Sequence, residues 1–106
     1  MPILQINFKL NAAPTDYRAV CESISQAIAN VPGLLWKVWV LNETEKEAGG
    51  IYLFKDERSL DNYFSGPIAA QINSHPALFD LSAKRFDVMK GVTAITHGPI
   101  PATVGA

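Results

Sequence analysis

The sequence predicts an α+β protein of the split βαβ type, in which two helical regions pack on one face of a four-stranded antiparallel sheet. Three observations lead there. The 106 residues are 48% hydrophobic, enough for one domain with a modest core and no covalent staple. Apolar periodicity changes along the chain in the order strand, helix, strand, strand, helix, strand. A Pro32-Gly33 stop then divides the first helix from a pair of apolar strands.

Ile3 to Leu10 alternates, with Leu4, Ile6, Phe8 and Leu10 on one face and Gln5, Asn7 and Lys9 on the other, as in a half-buried strand. Ala12 to Thr15 is a connection containing Pro14, and Thr15 or Asp16 is expected to cap a helix through a side-chain oxygen. Tyr17, Val20, Ile24, Ala27, Ile28 and Val31 follow at helical spacing, with Cys21 on or beside the same stripe. Pro32 cannot continue that helix, and Gly33 can take the left-handed or extended geometry that turns the chain.

Leu34 to Leu41 is β-branched, aromatic and apolar on both faces apart from Lys37, a pattern that suggests a central strand covered on both sides. Asn42 to Glu47 is a polar turn, and Gly49 to Lys55 resumes as a strand expected to pair antiparallel with the previous one. Asp56 is placed to cap a helix on which Leu60, Tyr63 and Phe64 share a face. Pro67 suits the first turn of a further helical piece carrying Ile68 and Ile72, which ends at His75-Pro76. Leu81 to Val88 reads as the fourth strand. Residues 1–90 form the expected domain and 91–106 a tail. Its Gly98, Pro99, Pro101 and Gly105 argue against a stable helix, and Val92 to Ile95 could add a short strand, as an arm exchanged with a partner subunit.

Charge and cysteine usage exclude several function classes. Nine basic and ten acidic residues, a net charge of -1, give no general attraction to nucleic acid or an anionic membrane surface. Cys21 is the single cysteine, so no intramolecular disulfide, structural zinc cluster or iron–sulfur centre is expected, and a reducing cytoplasm is the simplest setting. The start, MPILQINFKLNAAP, lacks the basic leader and apolar core of a signal peptide. No apolar run approaches the ~20 residues that span a bilayer.

The segment PGLLWKVWVLNETEKEAGGIYLFKDERS, with LQINFKLN before it and AKRFDV after it, closely resembles the YdhR-like mono-oxygenase family of the dimeric α+β-barrel superfamily. The resemblance covers most of residues 3 to 88, and the WKVW, EAGGIYLF and AKRFDV elements are far more specific in that order than singly. It implies a ferredoxin-like βαββαβ protomer whose sheet packs against a second copy to form a dimeric α+β barrel. It also implies a homodimer and an oxygenase activity, since related families oxidise quinols, anthrones or haem, some without a metal or flavin. Related enzymes use an asparagine on the first strand and, in some groups, a histidine near the end of the second helical region. Asn7 and His75 are similar in placement, whereas Tyr63 and Phe64 stand where those enzymes commonly have a tryptophan.

Oxygenation without a cofactor needs a substrate that itself reduces dioxygen, as an enolate or phenolate does. The protein must then move a proton, stabilise the anion and exclude bulk water. Lys37 is the foremost polar candidate because it interrupts an apolar strand and shares a face with Trp39. Desolvated, it could act as a base or stabilise a phenolate; alternatively its stem simply covers apolar surface. Trp36 and Trp39 fall on opposite strand faces and cannot both line one small pocket, though either can stack on an aromatic ligand or pack as core. Tyr52 could orient a substrate hydroxyl from the strand paired with Lys37, or make an aromatic cross-strand contact.

Asn7 and His75 each have a structural alternative, as a hydrogen-bonded strand residue and a helix-end residue. Gly49-Gly50 lacks the spacing of a phosphate loop and reads as a bulge or close backbone approach. Glu43, Glu45 and Glu47 alternate with Thr44 and Lys46 as a solvated turn rather than a metal site. The expected function is a cofactor-independent mono-oxygenase acting on a quinol-like or other electron-rich aromatic, with Lys37, Asn7 and His75 as catalytic candidates and Trp36, Trp39 and Tyr52 as substrate-binding ones. The alternative is a non-catalytic dimer that binds a small apolar ligand, or a protein whose aromatic residues only weld the dimer.

Overall fold

The computed structural model describes residues 1–101. Eight elements follow one another: β1 (Pro2–Leu10), α1 (Pro14–Ala29), β2 (Leu34–Asn42), β3 (Glu47–Phe54), α2 (Glu57–Phe64), α3 (Pro67–Asn73), β4 (Leu78–Asp87) and α4 (Lys90–Ile95). The strands form one antiparallel sheet in the order β2-β3-β1-β4. This is the ferredoxin-like arrangement expected from the periodicity.

Alternation along β1 sets the two faces of the sheet. Leu4, Ile6, Phe8 and Leu10 are buried beneath the helices, joined there by Ala48, Tyr52 and Phe54 of β3 and by Ile28, Leu60 and Tyr63. Ile3, Gln5, Asn7 and Lys9 look the other way, as do their β3 partners Leu53, Ile51, Gly49 and Glu47. A bulge at Leu35 brings Leu34 onto the helix-facing side with Lys37, Trp39 and Leu41.

β2 is an edge strand rather than the central one expected. Its two-sided apolarity has a different origin: one face packs beneath α1, and the other supplies Trp36, Val38 and Val40 to the outer face of the sheet. The expected Thr15 or Asp16 cap is also corrected. α1 begins earlier, with Ala13 as N-cap and Pro14 in the first turn, where proline lacks only an N–H that would have no helical partner. Asp56 does cap α2, its carboxylate accepting the Ser59 N–H at 2.8 Å.

The segment after β4 forms a short helix, α4, instead of a strand. Gly98, Pro99 and Pro101 lie beyond the helix and end it rather than prevent it, and the Gly98 N–H donates back to the Thr93 carbonyl at 2.8 Å. From there the chain reaches the opposite edge of the sheet, where the Trp36 indole N–H donates to the Pro99 carbonyl at 2.7 Å. Leu53, on the outer face opposite Trp36, is fully buried. Residues 102–106, the last part of the expected exchanging arm, lie outside the described residues.

Gly33 joins α1 to β2 with φ +81°, and a Cβ there would sit 2.1 Å from Ser59 Oγ at the start of α2. Its carbonyl accepts the Lys55 N–H at 2.9 Å. Backbone conformation and close packing therefore both require glycine. Gly33→Ala is expected to lower stability in urea unfolding by about 3 kcal/mol. Gly91→Ala, at a helical position with open space around it, is expected to be neutral or to stabilise by up to about 1 kcal/mol.

Candidate active site

A cavity of about 200 Å³ lies between the helix-facing side of the sheet and the helices α1 and α3. α1 contributes Tyr17, Val20, Cys21 and Ile24, a run that follows the apolar stripe legible in the sequence. α3 contributes Ile68, Gln71 and Ile72, and His75 follows it. The floor is Ile6 and Phe8 of β1, Lys37 and Trp39 of β2, and Gly50 and Tyr52 of β3.

Strand pairing assembles the polar part of this floor. Lys37 stands opposite Tyr52 and Trp39 opposite Gly50. The Lys37 Nζ lies 3.4 Å from the centroid of the Trp39 ring and 4.5 Å from that of Tyr52. It can lie so low because Gly50 has no side chain: a Cβ there would meet Lys37 Cε at 2.5 Å.

Burial pushes the Lys37 ammonium down to about 8 from its ordinary 10.5, because the cavity solvates the charged form poorly. The two ring faces oppose that shift by attracting the cation. Among the described residues the ion pairs are Arg18 with Glu43 and Arg85 with Glu57 and Asp61, so no carboxylate lies within ion-pair distance of Lys37.

Tyr52 is fixed by its own contacts. Its ring stacks on Phe54, and its hydroxyl accepts a hydrogen bond from the Tyr63 hydroxyl at 3.1 Å. Burial raises both phenols above their usual range. Neither is poised to ionise near neutral pH. His75 Nδ1 accepts the Ala77 N–H at 3.1 Å, which leaves Nε2 as the protonated nitrogen of the neutral ring.

The structure thus brings Lys37, Trp39, Tyr52 and His75 to one cavity and leaves Asn7 and Trp36 elsewhere. Asn7 pairs with Gly49 and Ser82 on the outer face. Its odd position in β1 separates it from the cavity by the thickness of the sheet. Trp36 also faces outward, onto the tail. Sequence reasoning missed Tyr17 and Ile72 as cavity walls and Gly50 as the residue that makes room for the lysine. The apolar stripe of α1 was a signal for the first, whereas the Gly50–Lys37 contact depends on a strand register that composition does not encode.

The acidic turn Glu43 to Glu47 is exposed, with Glu43 bound to Arg18 at 2.7 Å and the Asn42 Oδ1 accepting the Glu45 N–H at 3.0 Å. Among the described residues, no three His, Cys, Asp or Glu side chains converge in a way that could hold a metal ion. No helix there is long and apolar enough to cross a membrane.

An apolar cavity between a four-stranded antiparallel sheet and its helices, holding one amine with no carboxylate partner among the described residues, defines a small α+β protein. Solved structures with this architecture include a cofactor-independent oxygenase, SnoaB, from Streptomyces nogalater, with 16% identity and a TM-score of 0.66, covering 82% of this chain and 92% of that one. A monooxygenase from Streptomyces coelicolor in complex with the ligand nanaomycin D has 17% identity and a TM-score of 0.62, covering 82% and 86%. The haem degrader MhuD from Mycobacterium tuberculosis, with two haems bound, has 20% identity and a TM-score of 0.64, covering 82% and 95%. At these identities the likeness concerns the fold. No curated protein matches the chain. The family model described as "Putative mono-oxygenase ydhR" matches residues 3–99, and the chain belongs to that family.

The buried position of Lys37 makes the stability of the fold depend on pH. Its lowered pKa penalises folding below about pH 8, and the penalty fades as pH rises through 10.5, above which the amine is neutral in both folded and unfolded chains. Lys37→Met is expected to stabilise by about 1–2 kcal/mol at pH 7, the ring faces offsetting part of the cost. The gap between variant and wild-type urea midpoints should close between pH 8 and 10.5.

A Cβ on Gly49 would meet the Ile6 backbone carbonyl at 1.9 Å, whereas one on Gly50 meets the movable end of Lys37. Gly49→Ala is expected to cost about 3 kcal/mol, and Gly50→Ala about 1 kcal/mol or less while displacing the amine. Thermal unfolding of both variants measures the difference.

Proposed function

We propose that the protein is a cofactor-independent mono-oxygenase that oxidises a quinol-like or other electron-rich aromatic in the cavity between its sheet and helices. The observation that supports this most directly is the Lys37 amine, held in an apolar enclosure over Trp39 and Tyr52 with no carboxylate partner among the described residues. The family to which the chain belongs and its likeness to an oxygenase that works without a cofactor point the same way.

Neutral Lys37 takes the proton of a bound phenolic hydroxyl, and the resulting ammonium pairs with the phenolate. Electron density moves onto a ring carbon, which reduces dioxygen and forms a C–O bond. Loss of water from the hydroperoxide yields a quinone. A phenol and dioxygen thus become a quinone and water, one oxygen atom going to each product, with no external reductant. Lys37 returns its proton to the departing oxygen. The Nε2–H of His75 is available to donate to a substrate oxygen, and the faces of Trp39 and Tyr52 to stack on the ring.

The volume suits a compact substrate, because an apolar cavity of about 150 Å³ accommodates benzene and this one is about 200 Å³. Asn7, on the other face of the sheet, is left outside the proposed site. A homodimer formed through that outer face is part of the same reading, supported by the exposed Val38, Phe79 and Phe86 there.

A second reading, a dimer that binds a small apolar ligand without turning it over, draws on the predominantly apolar wall of the cavity. Native mass spectrometry of freshly purified protein separates it from the first by finding a retained ligand in the absence of turnover. For the oxygenase, oxygen uptake with a panel of one- and two-ring quinols is expected to fall at least 100-fold in Lys37→Met. Trp39→Phe should raise KM more than it lowers kcat. In the wild type, kcat/KM is expected to rise with pH through an inflection near 8, as the amine loses its proton. Full turnover by Lys37→Met would remove the lysine from the mechanism.

A further inference from the structure

We infer that Lys37 is also a nucleophilic amine that captures an uncharged aromatic aldehyde as a Schiff base inside the cavity. The inference rests on the reading of this cavity as a site for small aromatics, but on none of its oxygen chemistry. Geometry supports it first. The Lys37 Nζ lies within the cavity, between the faces of Trp39 and Tyr52 and above the bare backbone of Gly50. The other five lysines, Lys9, Lys46, Lys55, Lys84 and Lys90, are all exposed to solvent.

An amine attacks a carbonyl through its nitrogen lone pair, so a lysine reacts in proportion to its neutral fraction. With the amine at about 8 rather than 10.5, about one Lys37 in ten is neutral at pH 7, against about one in three thousand for an ordinary lysine. The ring faces that attract the ammonium reduce this advantage without removing it. Other titratable groups face the cavity from α1, from β3 and from beyond α3: Asp16, Tyr17, Cys21, Tyr52 and His75.

The same lining selects the carbonyl compound. Besides Lys37, the charged side chain at the cavity is the acidic Asp16, so an aldehyde bearing a phosphate or carboxylate finds no second cation to anchor it. An uncharged one-ring aldehyde instead lays its ring against the apolar walls, within a volume of about 200 Å³. Nitrogen attacks the carbonyl carbon, a C–N bond forms and the carbonyl oxygen takes up a proton from the amine. The carbinolamine then expels that oxygen as water, using the second amine proton, to leave the C=N bond. The His75 Nε2–H is available to protonate the departing oxygen. Nothing is oxidised or reduced.

Benzaldehyde with sodium cyanoborohydride makes the adduct permanent, and peptide mapping of the full-length protein locates the benzyl group. The expected result at pH 7 is labelling of Lys37 at least tenfold faster than of any exposed lysine. Excess toluene should suppress the Lys37 adduct alone, and urea should abolish the preference. Even labelling across the lysines, or Lys37 labelling that toluene leaves untouched, would each overturn the proposal. Labelled Lys37 without quinol-dependent oxygen uptake would count against the oxygenase reading only. Oxygen uptake with an unlabelled Lys37 would count against the Schiff base only.

Discussion

The two adjacent glycines in β3 impose the constraint on which both halves of this protein depend. On the outer face, Gly49 lets the backbone of β1 approach so closely that any Cβ would collide with the Ile6 carbonyl. On the helix-facing side, one residue later, Gly50 leaves the gap into which the Lys37 stem settles. Successive strand residues point to opposite faces, so one dipeptide serves sheet closure and cavity construction at once. The site is consequently welded to the most central pairing of the fold, β1 with β3, rather than hung from a loop.

Two cations on the same side of the sheet show how differently the fold treats charge. Arg85, on the β4 edge, keeps 44% of its side chain in solvent and shares its guanidinium between Glu57 and Asp61 of α2. Lys37, on the other edge strand, has aromatic faces where Arg85 has carboxylates. The first arrangement leaves a cation paired and in water; in the second, burial that the ring faces only partly offset brings the amine close to losing its proton. The aromatic row Phe54–Tyr52–Tyr63 stiffens the wall against which this happens, with the Tyr63–Tyr52 hydrogen bond satisfying hydroxyls that water cannot reach.

Much of this was legible in the residues, and what was not has identifiable causes. Alternation in β1, the Pro32-Gly33 stop and the cap at Asp56 are local signals, and each appears in the structure where local physics put it. The opposite facing of Trp36 and Trp39 followed from the two-residue period, and the pairing of Lys37 with the strand of Tyr52 from the hairpin expected across the polar turn. The central placing of β2 failed because apolarity on two faces reports what covers a strand, not how many neighbours it pairs with. Ala13 displaced Thr15 and Asp16 as cap because Pro14 fixes the first turn. Asn7 was grouped with Lys37 by resemblance although its own parity in β1 set it on the other face. α4 was missed because its breakers were counted as internal when they lie downstream.

The chain has two tryptophans, and the strand divides them between its two faces: Trp39 lines the cavity, while Trp36 is tied to the Pro99 carbonyl on the outer face. Their indoles are therefore independent optical probes built into adjacent turns of the same pleat. Replacing either by phenylalanine leaves a protein with a single emitter, one reporting on what occupies the interior and the other on whether the carboxy-terminal segment is seated. Events on the two sides of the sheet can be timed separately in this way, in the unlabelled molecule.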